Sequence, residues 1–297
     1  MLKRLFIITL ITLGIIAGPS LAQEMIQIKG SDTLINLVQT LSEEYMDKYP
    51  EKAVIAVTGG GSGVGIAALI SNTIAVANSS REIKSSEVTA AKENGVVPTE
   101  IVLGIDGLSV VVNADIPVNN LTVEQIGAIF RGDISNWNQV GGPNKNISLY
   151  GRQPSSGTYV FFQEFVLGNK NYSPKMKQMN GNAQIIEGIK ADKSAIGYVG
   201  VGYVFDDKGN VMEGLKVLTV SKDKNSEPVT PLIAENVKSG KYPIARPLLQ
   251  YTNGKPQKHV KDFIAFELSA EGQKIVEDMG FYPVAGKYLD VNKKAGF

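Results

Sequence analysis

Three short stretches set hydroxyl side chains beside glycine where an apolar run gives way to a helical pattern. They are GSDT (30–33), TGGGSGVG (58–65) and SSGT (155–158). Serine and threonine alone make weak catalysts but good hydrogen-bond partners. The start of a helix adds backbone N–H groups without intrahelical partners, together with the positive end of the helix dipole. That combination suits a small anion. One such junction is ordinary N-capping. Three of them, with Arg81 in NSSRE (78–82) and Arg152 in YGRQP (150–154) alongside, read as donors converging on one oxyanion.

Other chemistries are poorly supplied. The chain has no cysteine, and His259 is its only histidine, which leaves almost no room for a zinc site or for a Ser/His or Cys/His arrangement. The paired carboxylates Glu43 and Glu44 read as a solvated helix face. The glycine stretch fits neither nucleotide template. No frame gives Gly-x-Gly-x-x-Gly, and no Lys-Ser/Thr follows as a Walker loop requires. A secreted serine hydrolase or phosphatase with Ser62 or Ser156 as nucleophile is the rival reading, and it lacks a visible base and metal ligands. Donor arithmetic favours simple binding. A hydrogen bond to a charged group contributes roughly 1.5–3 kcal/mol, and micromolar affinity needs about 8 kcal/mol, so four or five donors suffice.

The elements that must carry these residues follow from periodicity. Residues 25–29 read as a strand and 34–49 as a helix, with apolar positions at Leu34, Leu37, Val38, Leu41 and Tyr45. A strand at 53–57, a helix from Val64 and a strand at 73–77 come next. Further strands are expected at 101–105, 108–113, 147–151 and 195–200. Helices are expected at 88–94, 123–130 and 158–167, with a helix pair over 259–280. The alternation predicts α/β layers with a largely parallel sheet. In such sheets the strand-to-helix junctions gather at the carboxyl ends of the strands, where ligands bind. The polar stretch 221–231 reads as a surface loop.

The N-terminus sets the expected compartment. A basic MLKR, a 13-residue apolar run (5–17) and small residues at Ser20 and Ala22 form a cleavable secretory signal, with cleavage expected after Ala22. The run is shorter than the roughly 20 residues a membrane span needs. With no cysteine after it, the expected product is soluble, free of a lipid anchor and periplasmic. Two of the 30 basic residues, Lys3 and Arg4, lie in that segment, which leaves 28 against 29 acidic residues. A net charge of −1 argues against nucleic acid as a partner, although local groups can still hold a small anion.

GSDTL, the GGGSG loop, NSSRE, LTVEQIGAIFRGDISNWNQVGG (121–142), GRQPSSGT and AIGYVG occur in that order. In this the chain resembles, from about 25 to 285, the PstS-type phosphate-binding proteins, periplasmic receptors of bacterial phosphate ABC importers. The resemblance implies an α/β, two-domain periplasmic-binding-protein fold of type II. Each lobe would be a mixed sheet flanked by helices, with phosphate enclosed in the interdomain cleft. It also implies closure on binding, delivery to a membrane ABC permease, and neither enzymatic activity nor a cofactor or metal. The expected division is a signal peptide at 1–22, one lobe from 23–106 plus 247–297, and a second lobe from 107–246. The hinge is expected near Ile105–Leu108 and Ile244–Leu249, in a monomer.

By position, the resemblance implies backbone N–H donors at Asp32 and Thr33, a Thr33 hydroxyl, and hydroxyl and amide from Ser62. It implies a bidentate Arg152, with Ser156, Gly157 and Thr158 completing the cradle, and Ser31, Ser80 and Arg81 join the candidate set. Many members carry an aspartate where this chain has Ser80 or Arg81. That carboxylate accepts the proton of hydrogen phosphate and so rejects sulfate. Three readings of Asp32 stay open: a substitute acceptor, a partner orienting Arg81 or Arg152, or a helix cap. Arg81 is either a ligand residue or a salt-bridge partner. A second departure is Pro154, where members often place an acidic residue. Trp137 is expected to pack inside the second domain rather than touch ligand. Sulfate, arsenate or a phosphonate is the alternative cargo.

Overall fold

The computed structural model describes residues 24–297. The signal segment expected at 1–22 lies outside the described residues. From the N-terminus, β1 (Glu24–Gly30), α1 (Ile35–Lys48), β2 (Ala53–Thr58), α2 (Ser62–Ile70), β3 (Val76–Ser79), α3 (Ser85–Glu93) and β4 (Pro98–Gly107) alternate. Then come β5 (Ser109–Asn113), β6 (Asn120–Thr122), α4 (Val123–Arg131), β7 (Ser148–Arg152), α5 (Gly157–Phe165), β8 (Lys177–Met179), α6 (Asn182–Ala191) and β9 (Ala195–Val199). β10 (Leu215–Val217), β11 (Thr219–Ser221), α7 (Ala234–Lys238), β12 (Ala245–Asn253), α8 (Lys258–Glu267), α9 (Ala270–Asp278) and α10 (Lys287–Ala295) complete the chain.

Two five-stranded sheets result, one ordered β2-β1-β3-β12-β4 and the other β10-β5-β9-β7-β8. Both are mixed rather than largely parallel. β1 runs parallel to β2 and β3, whereas β12 runs antiparallel to both β3 and β4. In the second sheet β7 is parallel to β8 and β9, and β5 is antiparallel to β9 and β10. The chain passes between the sheets twice, from β4 to β5 at Leu108 and back into β12 at Ala245. At that seam Leu108 N donates to Ile244 O at 2.9 Å. Among the described residues no helix is long and apolar enough to cross a membrane.

Local chemistry explains several boundaries. α4 starts on a reciprocal cap: the Thr122 hydroxyl accepts from Gln125 N at 3.1 Å and Gln125 Oε1 accepts from Thr122 N at 2.9 Å. Strand β3 lies later than the apolar run 73–77 suggests: it begins at Val76, and Ala75 leads into it with a single bond from its N to Gln27 O of β1 at 3.0 Å. Helix α1 buries Leu37, Val38, Leu41 and Tyr45, and the Tyr45 ring lies 5.3 Å from that of Phe263 on α8. In the second half Phe162 stacks on Tyr198 at 4.0 Å, and Phe130 meets the two rings edge-on at 5.0 and 5.3 Å. Trp137 is packed there as expected, its Nε1 donating to Ser194 O at 3.0 Å.

One buried carboxyl stands apart from this packing. Glu267, at the end of α8, is 0% exposed, and burial pushes it up to about 8, only partly offset by the bond that Gln250 Nε2 donates at 3.1 Å. Glu267 Oε2 and Gln250 Oε1 are both buried without a partner. A proton on the carboxyl makes Oε2 a donor and removes the cost of a buried charge. Because the folded value lies above the unfolded value of 4.5, the stabilisation is fully present below about pH 4.5 and is lost as pH rises through about 8. Between those limits stability is expected to fall with a slope of up to about 1.4 kcal/mol per pH unit. Glu267→Gln should flatten that slope in urea unfolding at pH 5, 7 and 9. An equal decline in variant and parent would remove Glu267 as its source.

Candidate functional site

The glycine stretch sits between β2 and α2 and is shaped by close approach. Helix α2 begins at Ser62, two residues earlier than the periodicity suggests, with Gly61 before it at φ 96°. That conformation strongly favours glycine. A Cβ on Gly61 would also lie 2.5 Å from Ser155 O, on the loop that opens α5. Across this contact Gly63 N donates to Ser155 O at 3.1 Å, so the two loops meet backbone to backbone. Gly157 is equally tight, since a Cβ there would stand 2.2 Å from Ser62 Oγ.

This proximity gathers five buried hydroxyls. Ser31 Oγ donates to Ser80 Oγ at 2.9 Å, and Ser80 Oγ lies 3.3 Å from Ser62 Oγ and 3.4 Å from Thr158 Oγ1. Thr158 Oγ1 in turn lies 3.0 Å from Thr33 Oγ1. Four come from junctions of the first sheet and Thr158 from the second, so the cluster bridges the two. Ser62 does not cap its helix. Its Oγ accepts from Ser80 N at 3.0 Å instead, because α2 begins at Ser62 itself. Ser156 does cap α5, accepting from Thr158 N at 3.2 Å and Tyr159 N at 3.4 Å. Among the described residues neither serine hydroxyl is engaged by a histidine or a carboxylate, as an activated nucleophile would be.

Arg152 ends β7 with a fully buried side chain. Its Nη2 pairs with Asp32 Oδ2 at 2.5 Å and donates to Asn180 O at 2.7 Å, and its Nε reaches Met179 O at 3.3 Å. Its Nη1 is buried with no hydrogen-bond partner among the described residues. Asp32 is no helix cap here. Its other oxygen accepts from Gly60 N at 2.8 Å, so one carboxylate ties the glycine loop to Arg152 of the second sheet. Tyr203 adds a bond from its hydroxyl to Asp32 O at 2.7 Å, and burial pushes that hydroxyl's pKa up, keeping it a neutral donor.

Arg81 lies elsewhere in the bonding scheme. Its Nη1 and Nη2 hold both oxygens of Glu87 on α3, at 2.8 and 2.6 Å, and Nη1 also donates to Glu82 O. It acts as a salt-bridge partner of the helix that follows it, and its Nε is buried without a hydrogen-bond partner among the described residues. A different arginine, unforeseen from sequence, joins the hydroxyls. Arg246 on β12 donates from Nη2 to Thr158 Oγ1 at 3.0 Å and from Nη1 to Ser80 O at 2.8 Å. Its Nε and Nη2 share Asp106 Oδ2 at 3.0 and 2.8 Å, and both side chains are buried. Burial lowers the Arg246 pKa from its usual value, while Asp106 opposes that. The sequence signal was available. A lone charge inside each of the apolar runs IVLGIDGLSVVV and PIARPLL needs a buried partner.

The arrangement therefore offers hydroxyls that can donate or accept, helix N-termini from both sheets, and two arginines each balanced by one aspartate. No carboxylate belongs to the hydroxyl cluster itself. Among the described residues no group of three or more His, Cys, Asp or Glu could hold a metal. The geometry suits holding an oxyanion.

Residues 17–271 match a family described as the PBP superfamily domain. The phosphate-binding protein PstS of Pseudomonas aeruginosa is 30% identical over 278 residues, covering 88% of this chain and 83% of that protein. PstS of Borreliella burgdorferi is 31% identical over 267 residues, covering 87% and 90%. Among solved structures, a phosphate ABC transporter substrate-binding protein with bound phosphate from Clostridium perfringens superposes with a TM-score of 0.77 at 28% identity, covering 88% of this chain and all of that one. An ABC-type phosphate transport receptor from Vibrio cholerae gives 0.70 at 28% identity, covering 87% and 100%.

Proposed function

We propose that this chain, which belongs to the PBP superfamily and within it to the PstS-type family, binds inorganic phosphate outside the cytoplasm and delivers it to an ABC permease. The observation that carries the reading is the meeting of five buried hydroxyls from both sheets, with the buried Arg246 donating to one of them, Thr158. In this reading Ser31, Thr33, Ser62, Ser80 and Thr158 offer hydroxyls. The first-turn amides of α2 and α5, including those of Ser62, Gly157 and Thr158, add N–H donors. Arg152 supplies the opposite charge a buried dianion requires. Asp32 orients Arg152, Ser156 fixes the turn, and Arg81 pairs with Glu87 of α3.

The proposed division is one lobe from 23–106 plus 247–297 and a second from 107–246. The two passages of chain beside Leu108 and Ile244 act as the hinge. Support comes from β4 ending at Gly107, β5 starting at Ser109 and β12 starting at Ala245. The molecule works as a soluble periplasmic monomer and catalyses nothing.

A second reading, a receptor for another tetrahedral oxyanion such as sulfate, draws on the cluster's lack of a carboxylate. Hydroxyls can nevertheless accept a proton from hydrogen phosphate as well as donate to an oxyanion. Isothermal titration with phosphate and with sulfate at pH 5.5 and 8 separates the two. Saturable phosphate binding at micromolar strength or better, at least a hundredfold tighter than sulfate, is the expected outcome. Heat with sulfate and none with phosphate would move the assignment to the second reading.

A further inference from the structure

The buried pair Asp106–Arg246 occupies an unusual place. Asp106 is next to the last residue of β4 and Arg246 is the second residue of β12, and the two stand opposite each other in the strand register. These are the strands through which the chain enters and leaves the second half of the molecule. From there Arg246 reaches both sides. Its Nη1 holds Ser80 O beside the first sheet, and its Nη2 holds Thr158 Oγ1 on α5. The Phe161 ring, one turn further along α5, lies 5.2 Å from the guanidinium carbon. Asp106 mirrors this, accepting from Arg246 with Oδ2 and from Val201 N, beyond β9, with Oδ1 at 2.9 Å.

We propose that Asp106–Arg246 is a hinge-borne closure latch, in which Arg246 grips α5 when the lobes are shut and positions the Thr158 hydroxyl for the bound anion. The inference rests on the phosphate reading above. The geometry gives the latch a chemical sense. A guanidinium N–H spends an acceptor lone pair of Thr158 Oγ1, so the hydroxyl proton is free to point at an oxyanion. Swinging the lobes apart moves α5 away from β12 and breaks this bond, the Phe161 contact and the Val201 bond together. Asp106 and Arg246 remain paired throughout, because neighbouring strands of one sheet carry them both. Opening therefore leaves no lone buried charge, which would otherwise make each cycle costly. Arg246 is a positioning residue in this scheme: it acts on the anion through Thr158.

The test compares the full chain with three variants: Arg246→Met, Arg246→Lys and the charge-free double Asp106→Asn/Arg246→Gln. Phosphate association and release are followed by stopped flow, and thermal midpoints are measured without ligand. In the double variant, release is expected to be ten- to a hundredfold faster, association to change by less than threefold, and the ligand-free midpoint to stay close to the parent's. Lysine keeps the charge but lacks the planar fork that grips Asp106, Ser80 and Thr158 at once, so its release should fall between parent and methionine. If Arg246→Met proves too unstable to study, the double and lysine variants still decide. Parental release in both overturns the latch and leaves a structural ion pair. A parent chain that fails to bind phosphate overturns the latch and the phosphate reading together.

Discussion

Arg152→Ala is expected to weaken phosphate binding by about 2–5 kcal/mol, or roughly thirtyfold to several thousandfold. The size follows from what is left behind as much as from what is removed. Arg152 is fully buried and is the cation paired with Asp32, whose side chain is only 14% exposed. Truncation strands that carboxylate beside the place where a dianion is to sit. The local charge shifts by one unit in the wrong direction, and the screening that makes surface pairs weak is largely missing. A double variant, Asp32→Asn/Arg152→Met, removes the stranded charge and should recover part of the loss; no recovery relative to Arg152→Ala would mean that the stranded charge is not its source. Isothermal titration of the three proteins is the measurement. An unchanged affinity in Arg152→Ala would take Arg152 out of the site.

Gly157→Ala should abolish tight binding by a different route, while leaving the folded chain as stable as before. The added Cβ would stand 2.2 Å from Ser62 Oγ, 2.8 Å from Ser62 Cβ and 2.8 Å from Ser80 Oγ. Ser62 is completely buried, so its Cβ cannot swing aside. Because the clash lies between parts of the two sheets, opening the cleft relieves it, and neither half need unfold. Alanine is also a better helix former than glycine in the first turn of α5. The signature is thus a split: at least a hundredfold loss of phosphate affinity with a ligand-free thermal midpoint equal to or above the parent's. Small-angle scattering at saturating phosphate should show no compaction in the variant. Parental affinity would mean that the two walls need not meet this closely. Gly61→Ala is a poorer probe, since its φ of 96° adds backbone strain to the clash with Ser155.

The parts of the site that could be read in the sequence are those set by neighbours in the chain. Gly, Ser and Thr punctuate a strand-to-helix junction over four or five residues, so Ser31, Thr33, Ser62, Ser80 and Thr158 could be picked out before any tertiary fact was known. The alternation of strand and helix gave the α/β class in the same way. What distance in sequence separates was harder. Asp32 and Arg152 lie 120 positions apart, and local reading left the aspartate with three open roles, of which the Arg152 partner is the one the geometry displays. Arg81 was left with two roles, ligand residue or salt-bridge partner, and the geometry displays its pair with Glu87, six residues on. Arg246 and Asp106 were missed although each is a lone charge inside an apolar run, because the two runs lie 140 positions apart and nothing local pairs them. Strand β12 itself was passed over, and the largely parallel sheet expected from the alternation turned out mixed because β12 and β5 run against their neighbours.

The placement of β12 also dictates the order in which the molecule can be built. β3 and β4 are not neighbours; β12 lies between them in the sheet. The second sheet and its helices arise from one uninterrupted stretch, which can collapse as soon as that stretch exists. The first sheet cannot, because β4 has no place in it until residues 245–253 arrive. Those residues close contacts that span well over a hundred positions, and closing such long loops is a slow step in folding. The half that starts the polypeptide is the half that must finish last, and the strand that completes it brings Arg246 into the cleft in the same event.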